Sequence, residues 1–234
     1  NYKLFNDYVF VTATPNKEQF IPKKLTDIEF MSLNWGDAKK TKLNIQKATK
    51  NGNDFIVEKC RQYLNSEIDG GCHVFYNSVK EILAVCKSVM ALPNYKDGSI
   101  KIVCGDNDHN KRNINKVGEG LFTKSLSNPR LINFYTSCVF EGCDIEDSLG
   151  RTYIVVNGSR SASKVCMTTL VPQICGRIRD SIYDNEVSML VCGNIDCIEY
   201  TRDQWLYVVA DNLLKAKSSV DTFNHAKMLP NNDK

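Results

Sequence analysis

No stretch of this 234-residue chain approaches the ~18 consecutive apolar residues that a membrane span requires, which excludes a spanning helix on composition. The amino terminus, Asn1-Tyr-Lys-Leu-Phe-Asn-Asp-Tyr8, has neither a charged leader nor an apolar segment behind it, so it does not read as a secretory signal. Charge of one sign is also missing. Thirty basic residues against 27 acidic ones give a net charge of +3, which rules out a uniformly basic surface and leaves room only for a local basic patch. The ten cysteines include no Cys-x-x-Cys pair, and His73, His109 and His225 are not spaced as metal ligands. Most cysteines sit in apolar runs such as Lys101–Gly105 and Met189–Gly193, where the thiol behaves as a small hydrophobe. The expectation is no metal site, no disulfide framework and a reducing setting, the cytoplasm or a comparable intracellular compartment in a bacterial or phage context. An initiator Met is lacking as well, so a piece of a longer chain is expected.

What is present is a rhythm. Short β-branched or aromatic runs alternate with helical stretches, the pattern of βα units around a parallel sheet. The first run is Tyr8–Thr12, closed by Ala13-Thr14-Pro15. After a polar stretch come candidate strands at His73–Tyr76, Ile100–Cys104, Leu131–Tyr135, Thr152–Val156 and Ser188–Cys192. Helices are expected over Asp54–Leu64, Val79–Met90, Val171–Asp180 and Gln204–Lys215; the second has Ile82, Leu83, Val85, Cys86 and Val89 at helical spacing. Such a sheet gathers ligands outside the carboxyl ends of its strands, so chemistry belongs in the loops that follow them.

Three of those loops carry suitable residues. Thr12-Ala13-Thr14-Pro15 is a small-residue turn closing a strand. Thr136-Ser137 ends a strand and is followed by Glu141-Gly142-Cys143-Asp144. Hydroxyls and backbone N–H groups at a strand end can hold a phosphate, and glycine permits close approach. The same residues suit a helix N-cap and a tight turn equally well. Gln173-Ile-Cys-Gly-Arg-Ile-Arg179 places two arginines where guanidinium groups can reach a triphosphate bidentately. An ordinary surface helix with ion pairs to Asp180 or Asp184 is the alternative.

Taken together these segments resemble the motifs of superfamily 2 (DEAD/DEAH-like) helicases. Thr12–Pro15 is similar to motif III, Val74-Phe-Tyr-Asn77-Ser78 to motif IV, Thr136–Asp144 to motif V, and Gln173–Arg179 to motif VI in its Gln-x-x-Gly-Arg-x-Arg form. Gln173 follows Asp144 by 29 residues, room for a strand and a loop. The spelling of motif VI is closest to viral origin-binding-type helicases. The resemblance runs from Val9 to Arg179, and the last 55 residues carry no such motif.

The resemblance implies an α/β fold: a RecA-like parallel sheet with helices on both faces, preceded by the last strand of a first RecA-like domain. Residues 1–22 would be the tail of that first domain, 23–50 a connector, 51–200 the second RecA-like domain, and 201–234 a carboxyl-terminal helix and tail. Arg177 and Arg179 are then the candidates to face ATP and its Mg²⁺, with Gln173 in the same cleft and Gly142, Asp144 and Gly176 close to the nucleotide. Thr136, Ser137, Asn77 and Ser78 would meet the nucleic-acid backbone. Thr12, Ala13 and Thr14 would couple the two sites. Many relatives place the second arginine three residues after the first, where this chain has Asp180. Arg160, Lys164 and a basic loop over Asn107–Lys116 add backbone-directed charge. The implied partners are nucleic acid, DNA rather than RNA, and the chain's own amino-terminal RecA-like domain; no membrane is implied. No Gly-x-x-x-x-Gly-Lys-Ser/Thr loop and no acidic motif ahead of Thr12 occurs in these residues, so the chain by itself is expected not to hydrolyse ATP. The other reading is a non-catalytic nucleic-acid-binding domain with a helicase-like fold.

Overall fold

The computed structural model describes residues 41–48, 52–167, 169–193 and 201–228. The chain divides into two units, Asn1–Ile195 and Asp196–Lys234. In the first, chain order is β1 (Lys42–Lys47), α1 (Gly52–Leu64), β2 (Cys72–Tyr76), α2 (Val79–Met90), β3 (Ile100–Val103), α3 (Asp108–Asn115), β4 (Ile132–Tyr135), β5 (Ile145–Glu146), β6 (Arg151–Asn157), α4 (Leu170–Cys175), β7 (Ile178–Arg179) and β8 (Glu186–Cys192). In the second unit the described element is a single helix, α5 (Arg202–Met228).

Six strands form one sheet in the order β1-β8-β6-β2-β4-β3, and every neighbouring pair is parallel. Central strands of a parallel sheet are covered on both faces, and β2 and β4 show it: every residue in them is buried, as is every residue of β3 at the sheet's edge. Alternation then sends side chains to two separate cores. Cys72, Val74 and Tyr76 of β2 join Ile82, Val85 and Val89 of α2, Ile56 and Cys60 of α1, and Ile114 of α3. Phe75, on the opposite face, joins Tyr135, Ile154 and Met189 with Val171 and Ile174 of α4. The parallel α/β architecture expected from the sequence, with helices on both faces, is the one present.

The expected strands beyond residue 52 all occur, with ends within two residues of those read from the sequence, and α2 has the bounds Val79–Met90 as expected. Its start is set by Ser78, whose hydroxyl accepts the Glu81 N–H, and its buried face is the apolar stripe from Ile82 to Val89. Burying each such side chain contributes about 1.5–3 kcal/mol.

Four expectations need correction. Lys42–Lys47, inside the stretch expected to be a connector, is an edge strand that runs beside β8. The loop expected over Asn107–Lys116 holds the helix Asp108–Asn115; Asn107 caps it by accepting the Asn110 N–H. The helix expected over Val171–Asp180 ends at Cys175, where Gly176 closes it, and Ile178–Arg179 turns into a strand. The helix expected over Gln204–Lys215 extends from Arg202 to Met228. The strand expected at Tyr8–Thr12 lies outside the described residues. Of the nine described cysteines, five are buried as small hydrophobes, whereas Cys138 and Cys166 are exposed. Among the described residues, no helix is long and apolar enough to cross a membrane.

Candidate functional site

At the carboxyl end of the sheet one side chain joins three loops. Asn77 follows β2 directly. Its amide Oδ1 accepts the Ser137 N–H at 3.1 Å, and its Nδ2 donates to the Ala162 carbonyl at 2.7 Å. The turns after β2, β4 and β6 are thus held together by a single amide, on three strands adjacent in the sheet. Thr136 is buried, with its backbone N–H donating to Val103 O at 3.1 Å and its hydroxyl 3.5 Å from the Cys138 thiol. Ser137 is exposed and opens a short 3-10 turn to Val139. Of the hydroxyl pair, the structure therefore presents Ser137 to solvent and turns Thr136 inward.

Ser78 serves as the N-cap of α2. Arg160 is tied down too: its Nη2 lies 2.6 Å from Glu81 Oε1, and Glu81 Oε2 accepts Asn53 Nδ2 at 2.8 Å. Lys164 is exposed. In α3, the charge of Lys111 is met by Asp106 at 2.5 Å, and Lys124 also pairs with Asp106. The hydrogen bonds from these two lysines hold the Asp106 carboxyl below its ordinary range. Arg112 and Lys116 are exposed.

The second half of the site is a knot between two distant segments. β5 and β7 pair in parallel, Ile145 beside Ile178 and Glu146 beside Arg179, and Ile145 N donates to Arg177 O at 2.9 Å. Arg177 is half-buried. Its Nε donates to Gln173 O at 2.8 Å and its Nη1 to Cys143 O, so one guanidinium spans the end of α4 and the start of β5. Gly176 permits this by closing α4, its N–H donating to the carbonyls of Gln173 and Ile174. Gln173 takes part through that backbone carbonyl. Burial pushes the Cys143 thiol up, and its contact with Arg177 offsets part of that push.

Arg179 is exposed and pairs through Nε with Asp144 Oδ1 at 2.8 Å. Gly142, with φ +68°, sits where an L side chain is strained although nothing crowds it. Asp180 also lies in the left-handed region, at φ 57°. The sequence-predicted residues thus fall into two assemblies, Asn77–Ser137 and Cys143/Asp144–Arg177/Arg179, at the two ends of the segment 136–144. Thr12, Ala13 and Thr14 lie outside the described residues.

One buried cluster escaped the sequence reading. His73, fully buried on β2, contacts Tyr135 Oη through Nδ1 at 3.0 Å and Asp147 Oδ2 through Nε2 at 2.8 Å. Gly71 and Gly150 make room for it: a Cβ on Gly71 would stand 2.2 Å from Asp147 Oδ2. Desolvation raises the Asp147 pKa, but the hydrogen bond and charge of His73 and the N–H groups of Leu149 and Gly150 outweigh it and leave the carboxyl below its ordinary value. These three residues are separated by 62 and 74 positions, with no spacing to announce them.

No family model matches the chain, and no curated protein matches it. Among solved structures the chain is similar to a CRISPR-associated protein, at 15% identity and a TM-score of 0.43, over 74% of this chain and 19% of that one. It is similar also to T. fusca Cas3 with ADP, at 9% identity and a TM-score of 0.41, over 78% of this chain and 22% of that one. T. fusca Cas3 matches at 10% identity and a TM-score of 0.40, over 75% and 21%. The chain spans about a fifth of the length of these structures. Likeness at this level concerns the course of the backbone and brings no activity with it.

Proposed function

We propose that this chain is the carboxyl-terminal motor half of an ATP-dependent nucleic-acid helicase or translocase, acting on DNA. The observation that supports the reading is the β5–β7 knot. It brings the Glu-Gly-x-Asp segment and the Gln-x-x-Gly-Arg segment, 29 residues apart in sequence, onto one another through Arg177 and Arg179. Asn77 ties the third segment to the same stretch from its other end. Three sequence segments chosen for their resemblance are thus bonded in pairs.

In this reading Arg177 is held by its two carbonyl acceptors in a fixed orientation. Guanidinium stays charged and suits phosphate oxygens, so a half-buried, oriented arginine fits the phosphates of a nucleotide bound by another domain. The residues do not fit Mg²⁺ in the same way, because no group of three or more His, Cys, Asp or Glu among the described residues is placed to hold a metal. The metal and the phosphate loop would belong to an amino-terminal RecA-like domain. ATP would supply the free energy, while this chain orients a cation at the phosphates and presents Ser137, Lys164 and the exposed face of α3 to the nucleic-acid backbone.

One observation favours the second reading, a non-catalytic binding domain: two Arg177 donors are already committed to backbone carbonyls. ATP hydrolysis separates the two. The gene product that contains this chain together with its upstream residues should hydrolyse ATP, faster with single-stranded DNA, and Arg177→Ala should abolish turnover. Chain 1–234 alone should show none. Its binding to single strands should fall steeply with salt, as phosphate contacts do. Turnover by the longer product that survives Arg177→Ala would overturn the motor reading. Salt-insensitive binding would overturn the phosphate contacts.

A further inference from the structure

The backbone ladders of the two sheets are separate: β5 and β7 pair with each other, while β2, β4 and β6 belong to the six-stranded sheet. Arg177 and Arg179 flank Ile178 on the smaller one, so where these arginines stand depends on how it is fixed to the larger. Two paired strands of two residues each have little stability of their own. Apolar contact supplies part of the attachment, because Ile145 and Ile178 are buried in the core that holds Tyr135, Ile154 and Val171. Such contact is non-directional. It resists lifting the small sheet away but does not choose its position along the strands.

Direction comes from Asp147. This residue follows β5 immediately, and its Oδ2 lies 2.8 Å from Nε2 of His73 on β2. An ionised carboxylate only accepts, so Nε2 carries the hydrogen. On the other side of the ring, Nδ1 meets Tyr135 Oη at 3.0 Å, a phenol that burial keeps protonated. The imidazole is thus fixed at both nitrogens and lies nearly parallel to the Tyr135 ring.

From Asp147 the hold passes to β7 in two ways. Segment 143–150 is bonded to segment 177–182 at three further points: Ile145 N donates to Arg177 O at 2.9 Å, Ile182 N to Ser148 O at 3.0 Å, and Ser181 Oγ to Gly150 O at 2.7 Å. Gly150 also lets His73, Asp147 and Ile178 converge. A Cβ there would stand 2.9 Å from His73 Nε2 and 3.0 Å from both Asp147 Cβ and Ile178 Cγ2.

We propose that His73 and Asp147 are positioning residues for Arg177: their bond fixes the β5–β7 pair on the main sheet, and with it the direction of the guanidinium. The effect on turnover rests on the motor reading above, whereas the effect on Arg177 does not.

Asp147→Ala in the full chain tests this, with Asp147→Asn as the conservative variant that keeps an oxygen acceptor for Nε2. Amide hydrogen exchange at Ile145 should quicken about tenfold in Asp147→Ala. The Arg177 Nε–H resonance should move, while the amides of α2 exchange as in the wild type. Asp147→Asn should restore most of both signals. In the longer gene product, Asp147→Ala should lower kcat about tenfold with KM for ATP unchanged, since a misdirected cation is missed chiefly in the transition state. Tyr135→Phe removes one hydroxyl from the other side of His73 and should move the same two probes the same way; it decides the matter if Asp147→Ala does not fold. Unchanged Ile145 exchange with an unmoved Arg177 resonance would overturn the proposal. So would exchange that quickens evenly through α2, a structural loss only, or an unchanged kcat in an active longer product. A wild-type longer product that does not hydrolyse ATP would overturn the motor reading instead, and the two probes on the full chain would still decide whether Asp147 holds Arg177.

Discussion

Replacing Arg177 with alanine tests the knot before any question of catalysis arises. Two charge-assisted bonds disappear, to Gln173 O and to Cys143 O. A hydrogen bond to a charged group contributes about 1.5–3 kcal/mol when well buried, and the half-buried position of Arg177 reduces that, so about 2 kcal/mol is expected for the pair. The adjoining Arg179→Ala removes only an exposed ion pair with Asp144, an interaction of the ~0–1 kcal/mol class. In urea, with a slope near 2 kcal/mol per molar for a domain of this size, Arg177→Ala should lower the unfolding midpoint by about 1 M. Arg179→Ala should leave it almost unmoved. Circular dichroism at 222 nm follows the transition, and hydrogen exchange at the Ile145 amide, which donates to Arg177 O, reports the knot itself. Equal midpoints for wild type and Arg177→Ala would refute the clasp. A loss of ATP hydrolysis on replacing Arg177 identifies a phosphate-facing cation only if the variant is shown to keep its fold.

Ile82→Ala empties a fully buried position in the α2 face and should cost about 2–5 kcal/mol, measured as a fall in the urea midpoint with unchanged slope. The folded Asp147 carboxyl titrates below its unfolded value of 3.8, so its contribution is complete above that pH and is lost as pH falls through the folded value. Stability should therefore decline as the pH falls below 3.8, and Asp147→Asn should flatten that limb; an unchanged limb would assign the acid sensitivity elsewhere.

The parallel sheet was legible because its central strands are buried on both faces and so appear as continuous apolar runs, Cys72–Tyr76 and Ile132–Tyr135 among them. β1 escaped because an edge strand exposed to water needs no such run: Lys-Leu-Asn-Ile-Gln-Lys offers two apolar side chains, and Ile45 itself is exposed. α3 escaped for a related reason. It buries only Ile114, too little for a period, and its one legible signal was Asn107 followed by an acid in the first turn. The early stop of α4 was written in Gly176, but the turn of Ile178–Arg179 into a strand depends on Arg177 reaching Cys143, a contact between segments far apart in sequence. The candidate site residues were legible as segments; which of them face solvent was not, as Thr136 and Arg160 show.

The direction of β1 has a mechanical consequence. It lies parallel to the rest of the sheet, so the chain enters it at the amino end, opposite the edge where Asn77 gathers its three loops. Six residues of extended strand span about 20 Å. The covalent entry to this unit at residue 41 therefore lies a full strand length away from those loops, at the other end of the sheet.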